Sequence, residues 1–119
     1  MFINTRSGSF TRSALPVEAQ LSSMYSIIAT DFDGDKNPDL ILGGNFYEAK
    51  PEAGINAGSY GCLLKGDGNG NFINQPINKS GLVIEGAVRD LKIIRRKNES
   101  LLLIARNNAA MLVKTIVKP

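Results

Sequence analysis

The stretch Asp31-Phe32-Asp33-Gly34-Asp35-Lys36-Asn37-Pro38-Asp39, followed at once by Leu40-Ile41-Leu42-Gly43, places aspartates at positions 1, 3, 5 and 9 of a loop. Calcium takes about six to eight oxygen ligands at roughly 2.3–2.6 Å, and carboxylates at alternate positions of a tight loop can all turn inward to supply them. Gly34 lets the main chain bend where a side chain would collide. Pro38 fixes its own φ and pushes Asn37 toward an extended conformation, which leads the chain into a strand beginning at Asp39. The carbonyl of Asn37 is the natural donor at position 7, with water to complete the shell. Without a cation, carboxylates this close repel one another and the loop is strained. The bland alternative is a solvated acidic turn that binds nothing.

On either side of the loop the chain reads as short β-strands separated by turn residues. Segments 25–30, 40–43, 60–65, 87–94, 101–106 and 111–117 are rich in Ile, Leu and Val and are bounded by Gly, Asn, Asp and Pro. Two weaker strands flank Phe10 and Phe72. No window holds a 3.6-residue apolar period, so almost no helix is expected. Gly66-Asp67-Gly68-Asn69-Gly70-Asn71 reads as a hairpin turn whose glycines and asparagines tolerate positive φ. Its Asp-x-Asn-x-Asn spacing also suits a second metal loop, but it carries a single carboxylate.

Two landmarks repeat. Asn4-Thr5-Arg6-Ser7-Gly8-Ser9-Phe10 parallels Gly66 to Phe72, an offset of 62 (72 minus 10). Ile41-Leu42-Gly43-Gly44-Asn45 parallels Leu103-Ile104-Ala105-Arg106-Asn107, again at 62 (107 minus 45). The chain is therefore about two copies of one unit, and period detection of this kind points to repeat architectures. At that offset the ligand positions of the second copy become Ile93, Arg95, Lys97 and Leu101, which cannot hold a metal. The second copy has either a plain hairpin or basic side chains in the space of a cation.

Composition narrows the function classes. At 119 residues, with 43% hydrophobic and 21% charged residues, the chain suits one folded domain. There is no His, which removes Ser-His-Asp and Cys-His catalysis and the commonest zinc ligand. Cys62 is the single cysteine and sits in an apolar stretch, as a buried core thiol does. The net charge of +3 owes much to Arg89, Lys92, Arg95, Arg96 and Lys97. No aromatic residue interleaves with them to stack bases, so nucleic acid is not expected as a partner. No apolar run approaches about 18 residues, and no signal-peptide pattern opens the sequence.

Three families use acidic loops of this kind. An EF-hand needs flanking helices and a bidentate acid at position 12, where this loop has Leu42. Ile27-Ile28-Ala29-Thr30-Asp31-Phe32-Asp33-Gly34 resembles the first motif of haloacid-dehalogenase-type phosphatases, which would make Asp31 a nucleophile and Asp33 an acid/base assisted by magnesium. That family expects Thr or Ser at position 35, a parallel sheet with crossover helices and a downstream Lys motif; this chain has Asp35 and no convincing partner motif.

The segment from Asp31 to Gly43 closely resembles the calcium loop of FG-GAP/VCBS repeats, the blade units of integrin-α-like propellers. Gly66 to Phe72 looks like that family's hairpin between the third and fourth strands, and Leu15 to Gln20 followed by Tyr25-Ser26-Ile27 looks like the lead-in to a blade in bacterial secreted members, near their C-terminal ends. The resemblance covers nearly the whole chain and implies an all-β fold of about two four-stranded antiparallel propeller blades, a partial propeller. Residues 1–14 would end one blade, 15–76 form the calcium-loop blade and 77–119 a degenerate, metal-free one. It implies calcium held by Asp31, Asp33, Asp35, Asp39 and the Asn37 carbonyl, with no enzymatic activity. It also implies an extracellular, periplasmic or cell-surface module that meets protein or glycan partners. Two blades do not close a propeller, which takes about four to eight. The chain is therefore expected to be part of a larger protein, or to cover its open sheet edges by self-association. The remaining alternative is a structural remnant with no ligand beyond calcium.

Overall fold

The computed structural model describes residues 1–48, 52, 54–97 and 99–116. Among them the chain is all-β, with nine strands in antiparallel sheets and very little helix. β1 (Phe2–Asn4) pairs with β2 (Phe10–Arg12) as a separate hairpin. A four-stranded sheet follows in sequence order, from β3 (Met24–Thr30) and β4 (Asp39–Gly44) to β5 (Cys62–Gly66) and β6 (Phe72–Gln75). A three-stranded sheet then holds β7 (Val88–Arg95), β8 (Ser100–Arg106) and β9 (Leu112–Ile116). The helical elements with both ends among the described residues are the 3-10 turn Val17–Gln20 and the α-turn α1 (Ile77–Ser80), which ends at Gly81 with φ of 64°.

Two apolar clusters explain why β4 reads as an unbroken apolar run. Successive strand residues face opposite ways. Ile41 points to one side, where it packs with Ile84, Val88, Leu91, Leu102 and Ile104 between the two larger sheets. Leu42 points to the other, where it meets Ala19, Cys62 and Leu64 beneath the segment carrying the 3-10 turn. Both faces of β4 are thus covered, and the polar-out half of the usual alternation disappears. The radius of gyration is 15.3 Å, above the roughly 13.5 Å that the size scaling gives for a compact domain of this length. Among the described residues the sheets pack as an open assembly, and none closes on itself.

The strand expected at 60–65 begins later. Gly61 has φ of 82°, and the Tyr60 carbonyl accepts from Ile84 N–H at 2.7 Å, so the chain turns before joining the sheet at Cys62. The strand expected at 111–117 runs Leu112–Ile116, and residue 117 lies outside the described residues. Strands at Phe10 and Phe72 are present.

The repeat is visible in the pairing. Asn4 pairs with Phe10 and Gly66 with Phe72, so β1–β2 corresponds to β5–β6 at the offset of 62. In β3 the step Met24/Ser26 sets one extra residue, Tyr25, against Gly44 and Gly43. In β7 the step Val88/Asp90 does the same with Arg89 against Arg106 and Ala105. The first strands therefore correspond at an offset of 64 (89 minus 25) while the second strands keep 62 (106 minus 44). The difference of two residues is lost from the connecting loop. Eight residues separate Thr30 from Asp39, but only six separate Ile94 from its partner Leu101. This corrects the single offset read from sequence: the counterpart of Asp31 is Arg95 (31 plus 64), not Ile93.

The paired bulges also meet. The guanidinium of Arg89 lies 4.4 Å from the centroid of the Tyr25 ring, and its Nη1 donates to the Asn45 carbonyl at 3.2 Å. One residue on, Ser26 Oγ donates to Asp90 Oδ1 at 3.1 Å and accepts the Leu91 N–H at 3.0 Å. Buried Asn45, at φ of 79°, donates to the carbonyls of Ser59 (2.6 Å) and Gly86 (3.2 Å) and accepts the Ser59 N–H (3.0 Å). These bonds fix β7 against β3 and hold the second sheet beside the first.

Candidate metal centre

The acidic loop connects β3 to β4, and its ends are set by the pairing of Thr30 with Asp39. Half-buried Phe32 packs against the cluster between the sheets and anchors the loop from inside. Gly34 and Lys36 both adopt positive φ, 85° and 71°. For Lys36 this left-handed conformation costs about 1 kcal/mol, and its N–H is held by Asp31 Oδ2 at 3.1 Å.

Each aspartate has a distinct position. Asp31 accepts the Gly34 N–H at Oδ1 (2.7 Å) as well as that of Lys36, so its carboxylate lies inside the curve of the loop. Asp33 Oδ1 accepts the Asp35 N–H at 3.2 Å, and Asp35 Oδ1 accepts the Asn37 N–H at 2.8 Å. Asp39 is only 2% exposed. Its Oδ2 accepts the Phe32 N–H and its Oδ1 the Gly66 N–H, both at 2.9 Å. That one side chain therefore joins the loop, the start of β4 and the end of β5. Asn37 leans on the neighbouring turn, its Oδ1 only 2.5 Å from where a Cβ on Gly68 would stand.

The structure brings Asp31, Asp33 and Asp39 together, with one carboxylate oxygen of each within 4.8 Å of the others. Two oxygens on a common calcium ion, each about 2.4 Å from it, can be at most about 4.8 Å apart. The three carboxylates therefore lie close enough together to hold one metal ion in common. Asp35 stands outside this set. Its Oδ1 serves Asn37, and its Oδ2 lies 3.2 Å from the ammonium of Lys65.

Lys65 gave no signal in the sequence. It is the only cation in β5, and the antiparallel register with β4 carries it to the acidic loop. Its Nζ forms an ion pair with Asp33 Oδ2 as well as with Asp35. The bond to Asp33, then that to Asp35, raises the Lys65 pKa above the usual 10.5. The Asn37 N–H, with a smaller share from Lys65, lowers that of Asp35 below 3.8. Both groups are solvent-exposed, so water and salt screen the pair.

The turn after β5 uses its single carboxylate internally. Asp67 Oδ1 accepts the N–H groups of Asn69 (2.8 Å) and Asn71 (3.1 Å), and Oδ2 accepts the Asn71 side-chain amide (2.7 Å). Gly68 and Gly70 take the positive φ such a turn requires, 77° and 88°. In the second sheet the matching hairpin is closed by backbone and a surface ion pair. The Arg96 N–H donates to the Glu99 carbonyl at 2.8 Å, Arg96 Nη1 lies 3.3 Å from Glu99 Oε1, and Arg95 Nη2 donates to Thr30 Oγ1 at 3.1 Å.

Searches against protein-family models, curated proteins and solved structures return no match for this chain. Among the described residues no helix is long and apolar enough to cross a membrane.

Proposed function

We propose that this chain is a calcium-binding repeat module of the β-propeller type, with a structural metal site in the loop between β3 and β4. The observation that carries the reading is the convergence of Asp31, Asp33 and Asp39 within 4.8 Å in a loop held by its own N–H groups. Asp35 and the Asn37 carbonyl complete the proposed ligand set. Calcium supplies the positive charge that offsets carboxylate repulsion, so part of its binding free energy is folding free energy. The propeller reading is supported by two consecutive antiparallel sheets that share a bulge, a register and an apolar interface.

The role beyond metal binding is interaction with protein or glycan partners outside the cytoplasm, through the sheet edges at β6 and β9, which carry no partner strand among the described residues. The antiparallel setting of Asp31 favours this over the phosphatase reading, whose chemistry belongs to parallel sheets with crossover helices. The test is a calorimetric titration of the full chain with calcium, beside Asp33→Ala and beside an assay of a generic phosphate ester with magnesium. Calcium binding by the parent, lost in the variant, with no ester turnover, supports the module. Equal calcium binding by Asp33→Ala would disprove the site.

A further inference from the structure

We infer that Lys65 is a tethered counter-cation, which holds the calcium-free loop and must leave Asp33 and Asp35 when calcium enters. This rests on the calcium reading of the same loop and adds its regulation.

The ammonium arrives from 32 residues away in sequence, so it is not part of the loop's own turn chemistry. Its backbone is fixed: β5 is hydrogen-bonded to β4, and the next residue, Gly66, donates to buried Asp39. Its stem is not fixed, because four rotatable methylenes let the charge swing into solvent. The ammonium bonds Asp33 Oδ2 and lies 3.2 Å from Asp35 Oδ2, so it takes lone pairs on two of the proposed ligands. An ammonium and a divalent cation on the same carboxylates compete, since each draws on their lone pairs and like charges repel at that separation.

Calcium therefore competes with a cation that is always at hand. When a binding-competent state is a fraction of the population, the apparent dissociation constant rises by the inverse of that fraction. If Lys65 occupies the carboxylates about three-quarters of the time, as suits an exposed and screened ion pair, its removal tightens calcium binding about fourfold. The same device keeps the loop ordered at low calcium.

The experiment compares the full-length parent, Lys65→Met and Lys65→Arg by calcium titration calorimetry and by thermal melts in EDTA. Reductive methylation of Lys65, read by mass spectrometry with and without calcium, reports the ammonium directly. The expected result is about fourfold tighter binding and a lower EDTA melting temperature for Lys65→Met, near-parental affinity for Lys65→Arg, and faster methylation in calcium. Tighter binding by Lys65→Met when the parent shows none at all also supports the inference. If the parent binds calcium and Lys65→Met binds it no more tightly, the inference is overturned and the calcium site stands. If neither chain binds calcium, the site itself is refuted and the inference goes with it.

Discussion

Replacing Asp39 tests whether the acidic loop is folded by its own hydrogen bonds before any metal arrives. The side chain is buried and accepts two main-chain N–H bonds, from Phe32 and from Gly66. A hydrogen bond to a charged group contributes about 1.5–3 kcal/mol, and a buried donor left without a partner costs about 1–3 kcal/mol. Asp39→Asn keeps one oxygen but turns an amide NH2 toward the second donor, so a loss of about 2–3 kcal/mol is expected. Asp39→Ala strands both donors and should cost about 4 kcal/mol. A small domain has about 5–15 kcal/mol in all, so either change is a large fraction. Urea unfolding followed by circular dichroism in EDTA measures these losses with no metal contribution, and the Asn variant should also melt roughly 10 °C lower. A loss under about 0.5 kcal/mol for Asp39→Asn in EDTA would refute the reasoning, because one charge-assisted bond alone exceeds it.

Two further outcomes are expected. Gly66→Ala would set a Cβ 2.1 Å from the Pro38 carbonyl, a backbone atom that cannot swing away; the start of β4 has to shift, at about 2 kcal/mol or more, measured by the same unfolding. Burial, with a smaller push from Glu18, raises the Cys62 thiol to about 11, so at pH 8 native protein holds almost no thiolate. Reaction with a disulfide reagent should then be slow and rise sharply in urea, whereas reaction at a free-thiol rate in buffer would contradict the buried placement.

Much of the architecture was legible because it is local. Turn residues mark the strand ends, and the apolar runs between them are too short and unpatterned for helices. The alternation of Asp31, Asp33 and Asp35 around Gly34 produced the loop, in which successive carboxylates cap N–H groups two to five residues on. The repeat was visible too, as Asn4–Phe10 and Gly66–Phe72 pair alike. Its two-residue deletion was not, because the hairpin at 66–72 and the second strand at 103–107 lie on either side of the shortened loop, and two extra residues between Phe72 and β7 cancel the two lost from it.

What tertiary structure alone decided follows from strand register. Pairing of β5 with β4 delivered Lys65 to the acidic loop and the Gly66 N–H to Asp39, and no spacing in the sequence encodes which residue lies opposite which. The same packing separated aspartates that look equivalent in the sequence: Asp39 became a buried clamp, and Asp35 turned to Asn37 and Lys65. Asn45 and the bulge residues Tyr25 and Arg89 owe their roles to the second sheet lying against the first. The chain's own chemistry determined that a loop of carboxylates forms between two strands. Which charges face one another across it was left to the sheet, because hydrogen-bonded register is a long-range choice made by burial on both faces at once.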